Sequence, residues 1–380
     1  MKFLISGGGT GGHIFPAISI ANALREVEPN CEILFVGANG RMEMERIPDA
    51  GYNIVGLDIQ GLERKKICKN FKVVFNFIKS YIKAKSIVHN FAPDVAIGVG
   101  GYVSAAAMRA AASLNVTIVL QEQNSFAGIT NKFLAKKASK ICVAYDGMER
   151  FFDKSKIVLT GNPVRQNMLN SNINIKEAYE HFRLDSSKKT LLIIGGSLGA
   201  KTINESILGN IDELLKSDFQ VIWQTGKYYF PEIAKNLKER YNQSSKTEQS
   251  PLCIENLFVA DFISAMDYAY RIADVVISRA GASSISELCL LAKPSILVPS
   301  PNVSENHQYH NAMSLANKNA TILVEDHMAE QILTKQAIDL IQDDNRLKIL
   351  SENIQKLAFA DSAKKIAQVV LQQAKRKNIK

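Results

Sequence analysis

Three glycine-rich stretches constrain the fold of this chain more than any other feature: Gly7-Gly8-Gly9-Thr10-Gly11-Gly12, Gly98-Val99-Gly100-Gly101 and Gly195-Gly196-Ser197-Leu198-Gly199-Ala200. Each follows an apolar run and precedes a helical pattern, the strand–loop–helix unit of a parallel α/β sheet. Lys2–Ser6, Glu32–Val36, Asp94–Val99 and Thr117–Leu120 are predicted strands of one such sheet, with a helix over Pro16–Glu28. A second series comprises Thr190–Ile194, Phe219–Gln224, one strand near Cys253–Val259, Val275–Ser278 and Ser295–Val298. The pattern breaks at Thr160-Gly161-Asn162-Pro163-Val164-Arg165, which predicts a linker over 163–190, and polar residues 241–250 read as a loop. The 380 residues therefore divide into two doubly wound domains, 1–164 and 165–362. A terminal helix from Ala360 onward is expected to return to the first domain, over residues 363–380.

Glycine lets backbone amides approach an anion, and a following helix N-terminus adds partial positive charge. Three such loops favour phosphate binding over tight packing alone. The first loop matches G-x-G-x-x-G through Gly7, Gly9 and Gly12, but the second strand ends Val36-Gly37-Ala38 without the carboxylate a dinucleotide ribose requires. The third, continued by Lys201-Thr202, imitates a Walker A motif with Ala200 in place of its last glycine. Neither NAD binding nor a P-loop ATPase is expected. His13 closes the first loop, where a helix start disfavours the imidazolium and leaves a ring able to accept a proton. It is the candidate base, with backbone capping as the alternative.

In the second series, Arg279-Ala280-Gly281-Ala282-Ser283-Ser284-Ile285-Ser286-Glu287 again joins a strand to a helix. Ser284 and Glu287 have capping-box spacing; alternatively, Glu287 takes the two hydroxyls of a ribose. His307 and His310 are three residues apart without a further ligand set, and no Asp-x-Asp occurs, so no metal is expected. Leaving-group charge then falls to amides, a helix end and Arg165 or Arg279.

The net charge of +9 is localised. Residues 62–89 carry eight basic side chains against Glu63 alone, net +7, and the last six residues add +4, leaving the remainder at −2. Within 62–89, Phe71, Phe75, Ile78 and Ile82 fall on one helical face beside a stripe containing Lys72, Lys79 and Lys83, with Val73, Val74, Phe77, Tyr81 and Val88 beyond it. Two apolar faces flanking lysines suit a helix packed inward on one side and touching lipid on the other; a wide core face with solvated lysines is the alternative. No nucleic-acid motif surrounds these residues, so nucleic acid is not an expected partner. Five cysteines without C-x-x-C read as reduced thiols of a cytosolic protein. No apolar run approaches the roughly 18 residues of a membrane span, and no signal peptide is recognised at the N-terminus.

Taken together, these motifs resemble the MurG family of peptidoglycan N-acetylglucosaminyltransferases. The resemblance spans nearly the whole chain. Its carriers are Gly8 to Ala17, Gly100-Gly101-Tyr102-Val103-Ser104, Glu122-Gln123-Asn124, Gly161 to Arg165, Gly195 to Ala200, Gly281 to Glu287, and Gln308 with Asn311-Ala312. It implies a GT-B fold, two Rossmann-like doubly wound domains facing across a cleft. The first would be the acceptor and membrane domain, the second the donor domain. It implies inverting, metal-independent transfer from UDP-N-acetylglucosamine to the C4 hydroxyl of undecaprenyl-pyrophosphoryl-N-acetylmuramyl-pentapeptide (lipid I), giving lipid II without a cofactor. By matched motif, Glu287 would hold the donor ribose, Ala282, Ser283, Ser284, Ile285 and Ser286 its diphosphate, and Ile263 the uracil. Ser197, Arg165 and Gln308 would line the donor site, while Asn124, Thr10, Gly11 and Gly12 would meet the sugar or acceptor. The 62–89 segment would contact an anionic membrane, placing a peripheral enzyme on its cytoplasmic face beside other cell-wall and division proteins. Gln121 stands where the family often has histidine, and His307 where it often has glutamine. A related lipid glycosyltransferase, a UDP-sugar epimerase of this fold and a non-catalytic nucleotide-sugar-binding subunit are the competing readings.

Overall fold

The structure is a computed structural model describing residues 1–59, 70–164, 173–241 and 250–377, with the backbone alone for 70–75 and 377. It separates into two compact units, residues 1–165 with 359–380, and residues 166–358.

The first unit holds a seven-stranded parallel sheet: β1 (Lys2–Gly7), β2 (Glu32–Ala38), β3 (Asn53–Leu57), β4 (Val95–Gly100), β5 (Thr117–Glu122), β6 (Lys140–Val143) and β7 (Ile157–Leu159). Their spatial order is β3-β2-β1-β4-β5-β6-β7. Both faces are covered, so strands read as unbroken apolar runs whose side chains alternate between two cores. Phe3 and Ile5 pack with Ile14, Ala17, Ile20 and Leu24 of the helix Gly11–Val27; Leu4 packs on the other face with Ala106, Ala107 and Ala110 of the helix Tyr102–Ser113. The terminal helix Ser362–Lys377 joins the Phe3 face through Ile366, Ala367, Val370 and Ala374. Where it returns, Gly161 adopts φ +77°, and a Cβ there would lie 2.3 Å from Phe359 Cβ, so only glycine fits.

The second unit repeats the plan with β8 (Lys189–Ile194), β9 (Phe219–Gln224), β10 (Leu252–Ile254), β11 (Leu257–Ala260), β12 (Val275–Ser278), β13 (Ser295–Leu297) and β14 (Ile322–Leu323), in the order β10-β11-β9-β8-β12-β13-β14. Only β10 is antiparallel. Without β10 and β7, both sheets have the 3-2-1-4-5-6 order of the doubly wound fold. The order reverses between β1 and β4, and between β8 and β12. At such points successive helices leave on opposite faces and open a crevice at the strand C-termini.

Several expectations need correction. The helix placed at Pro16 begins at Gly11, because extended Thr10 (φ −149°) is its N-cap and Gly11-Gly12 form its first turn; Pro16 lies inside it. The single strand near Cys253–Val259 is a hairpin, turned at Glu255-Asn256 with Glu255 at φ +43°. The predicted linker contains the helix Ile175–Phe182, whose N-cap Asn174 accepts from Lys176 N and whose buried Phe182 packs edge-on against Phe258, centroids 4.9 Å apart. Strands β3, β6, β7 and β14 were not predicted; β14 has only two residues. Arg165, the basic residues at 64–69 and positions 242–249 lie outside the described residues.

Candidate functional site

All the glycine loops lie at the two reversal points. In the first unit, β1 runs through Gly7 into the first loop and β4 through Gly100 into the second. Thr10 and Gly12 are exposed, and Gly11 is partly so. His13, in the first turn of its helix, directs Nδ1 to Gly8 O (3.1 Å), with Thr10 Oγ1 at 3.3 Å. A carbonyl only accepts, so in this bond the neutral ring carries its proton on Nδ1 and Nε2 offers a lone pair. The backbone contact foreseen as the alternative is thus present.

A carboxylate does reach the end of β2, contrary to the sequence expectation. Glu43, fully buried, accepts from Ala38 N (3.1 Å) and from Gly9 N (3.2 and 3.1 Å). One amide of the first loop is therefore engaged by an internal carboxyl group. Sequence reasoning missed Glu43, five residues beyond the position inspected.

Asn124 is seated by buried Glu122, which accepts from Asn124 N (3.1 Å) and Nδ2 (3.3 Å), Gly128 N (3.0 Å) and Asn131 Nδ2 (2.9 Å). Burial pushes the Glu122 carboxyl up from its ordinary range, against these bonds, which favour the anion. Gln121 is wholly buried and donates to Asn162 Oδ1 (3.0 Å), Gln123 donates to Val99 O (2.7 Å), and Asn162 donates to Gln123 O (2.9 Å). The amide at position 121 thus ties the Glu-Gln-Asn and Gly-Asn-Pro segments together inside the unit.

In the second unit, Ser197 is exposed at the tip of the loop after β8. Gln224, at the end of β9, donates to Gly196 O and accepts from Ile263 N, both at 3.0 Å, and so joins that loop to buried Ile263. After β12, Gly281 caps the helix Ala282–Leu290. Ser284 therefore sits inside the helix, and the capping box with Glu287 is not formed. Ala282, Ser283 and Ser284 are partly exposed at its start, Ile285 is buried, and Ser286 Oγ donates back to Ala282 O (2.9 Å). Glu287 is 6% exposed, and the buried Tyr270 hydroxyl donates to its Oε2 (3.3 Å). Gln308 accepts from Ser300 N (2.8 Å), and His307 Nδ1 meets Ser304 O (2.8 Å). Arg279, considered for leaving-group charge, is instead paired with Asp326 and donates to Val298 O. Lys201, of the Walker-like stretch, pairs with Glu205 on its own helix.

The segment read as membrane-facing forms the helix Asn70–Phe91. Phe77, Tyr81, Ala84 and Val88 face the core, whereas Ile78 and Ile82 are 51% and 61% exposed. Lys79 is exposed, and Lys83 donates to Gly56 O (2.9 Å). The backbones of Phe71, Lys72 and Phe75 are helical; their side chains lie outside the described residues. The helix packs beside Tyr102–Ser113, which packs against Ile129–Leu134, where Ile129 (58%) and Phe133 (55%) are exposed. Sequence reasoning missed these two, because a six-residue helix carries little periodicity. No helix among the described residues is long and apolar enough to cross a membrane.

Two doubly wound sheets, each with glycine loops at its reversal point, define the architecture of GT-B glycosyltransferases. The solved Acinetobacter baumannii MurG shares it, with a TM-score of 0.73 and 24% identity over 98% of this chain and 99% of that one. So does the UDP-GlcNAc 2-epimerase of Neisseria meningitidis bound to UDP-GlcNAc, at 0.65 and 14% over 98% and 100%. Residues 3–143 match the glycosyltransferase family 28 N-terminal domain and residues 190–366 its C-terminal domain. The UDP-N-acetylglucosamine--N-acetylmuramyl-(pentapeptide) pyrophosphoryl-undecaprenol N-acetylglucosamine transferase of Phocaeicola vulgatus is 53% identical over 98% of this chain and 96% of the relative. That of Bacteroides thetaiotaomicron is 52% identical over 100% and 99%. The chain belongs to glycosyltransferase family 28, within the branch of these MurG transferases.

Proposed function

We propose that the protein transfers N-acetylglucosamine from UDP-N-acetylglucosamine to the C4 hydroxyl of the muramyl residue of lipid I, producing lipid II for peptidoglycan. The observation carrying this reading is identity above 50%, end to end, with transferases whose names state that reaction. Fold alone would not separate it from an epimerase. The reaction is a single displacement: the hydroxyl attacks C1 as UDP leaves from the opposite face, inverting the anomeric centre. The sugar becomes oxocarbenium-like while charge grows on the diphosphate.

The second unit binds the donor. Glu287 accepts from the ribose hydroxyls, and the amides opening Ala282–Leu290 meet the diphosphate without a metal. Ser286, one turn further in, braces that first turn through its hydroxyl, which donates to Ala282 O. Ile263 lies against uracil, and Ser197, Gln308 and Arg165 complete the donor contacts. In the first unit, Thr10, Gly11, Gly12 and Asn124 meet the sugar or the acceptor. His13 Nε2 removes the hydroxyl proton as the bond to C1 forms. The exposed isoleucines and lysines of Asn70–Phe91, with Ile129 and Phe133, seat this peripheral enzyme on an anionic membrane presenting the acceptor.

The test is lipid II formation with saturating donor and acceptor, with and without EDTA. Undiminished turnover in EDTA and a β-linked product are expected from an α-linked donor. Loss with EDTA would exclude metal independence, and retained configuration would exclude single displacement. Near-normal turnover by His13→Ala would remove His13 as base.

A further inference from the structure

The hydrogen bonds around the first glycine loop share an atom set that gives Glu43 a role beyond bracing. Gly8 C=O and Gly9 N–H are the two ends of a single peptide unit. Its N–H donates to the Glu43 carboxylate (3.2 and 3.1 Å to the two oxygens), and its carbonyl accepts from His13 Nδ1 (3.1 Å). Glu43 is fully buried, and a third bond, from Ala38 N at 3.1 Å, fixes its carboxylate. A carboxyl group accepting at the N–H end of a peptide strengthens the carbonyl at the other end, because hydrogen bonds in a chain polarise one another. The result is a carboxylate acting on an imidazole through one peptide, related to the direct carboxylate–histidine pair that fixes a catalytic tautomer.

Close packing holds the path in place. A Cβ on Gly8 would lie 2.1 Å from Glu43 Oε1, and one on Gly100 would lie 2.8 Å from His13 Nε2. Glycine at these positions lets the carboxylate reach the peptide from one side and the ring lie against the second loop on the other.

We propose that Glu43 is a positioning residue for the transfer reaction, acting through the Gly8–Gly9 peptide to hold His13 as the Nδ1–H tautomer with Nε2 presented as base. The proposal rests on the reading of His13 as base, and its test separates the two. Glu43→Gln retains an oxygen that can accept from both Gly9 N and Ala38 N but removes the charge.

The first measurement is nitrogen NMR of the full chain with labelled histidine at neutral pH, the His13 signal being assigned by its loss in His13→Asn. The wild type is expected to show a protonated Nδ1 and an unprotonated Nε2, with Glu43→Gln shifting population toward the Nε2–H tautomer. The second measurement is steady-state kinetics: kcat of Glu43→Gln should fall about tenfold, the scale of lost outer-shell partners, with donor KM within about twofold. A wild-type ring protonated on Nε2 overturns the proposal, as does a folded Glu43→Gln chain with unchanged tautomer or unchanged kcat. If Glu43→Gln does not melt cooperatively, the wild-type tautomer decides alone. Full turnover by His13→Ala would instead defeat the base assignment, and the tautomer measurement would still report on the relay.

Discussion

Glu287 shows how a residue's role depends on partners distant in sequence. Its carboxylate is almost buried yet has Tyr270, seventeen positions earlier, donating to one oxygen. A buried hydroxyl donating to a buried carboxylate fixes its orientation, as the ribose contact proposed for Glu287 requires. Glu287→Ala should raise donor KM about 100-fold, since a site built for hydroxyls discriminates strongly. Tyr270→Phe removes one hydrogen bond and should raise donor KM about fivefold, consistent with about 1 kcal/mol. The Tyr270→Phe penalty should vanish with a donor lacking the ribose hydroxyls; persistence there would make Tyr270 a packing residue only. The glycine loops were legible because a glycine requirement is written at the position itself. Glu43 was not, since its carboxylate meets a loop 34 residues away, and neither was the ion pair of Arg279 with Asp326, 47 residues downstream.

Elements were legible where apolar runs were long and bounded by glycine, as in β1, β4, β8 and β12. They were misread where polarity suggested a break. The helix Ile175–Phe182 needed only Asn174 as cap and an Ala178/Phe182 stripe, both inside a stretch taken for linker. The terminal helix is the element on which the first unit most visibly depends, because Ile366 and Val370 fill the Phe3–Ile5 face. Ile366→Ala should destabilise that unit by about 2–5 kcal/mol in denaturant unfolding, and a change below about 0.5 kcal/mol would mean the helix merely rests on it. Lys293 offers a pH-dependent test. Its ammonium donates to Ala273 O (2.7 Å) at the end of Met266–Ile272, the helix carrying Tyr270, and burial lowers its pKa from 10.5 to about 8. Between those values the unfolded chain holds the proton and the folded chain does not, so stability rises with pH. Relative to Lys293→Met, the wild type should gain up to about 3 kcal/mol between pH 8 and 10.5, with a flat difference contradicting it.

At the scale of the whole molecule, the same strand order occurs twice, and chemistry-bearing loops gather at both reversal points. That much followed from counting strand–glycine–helix units. The net charge of +9 has a structural counterpart in Asn70–Phe91, where exposed Ile78 and Ile82 accompany exposed lysines. Replacing Lys72 and Lys79 by glutamine should weaken binding to vesicles containing anionic lipid by about 30-fold, at about 1 kcal/mol per lysine, with little effect on neutral vesicles. Binding insensitive to both substitutions and to anionic lipid would remove the membrane role. The acceptor separates lipid I glycosylation from the other activities of this fold. Purified protein should be given UDP-N-acetylglucosamine labelled in the sugar, with lipid I, with diacylglycerol, or with no acceptor. Label should appear in lipid II with lipid I alone; label entering diacylglycerol, or donor epimerised without any acceptor while lipid I stays unmodified, would exclude glycosylation of lipid I by this protein.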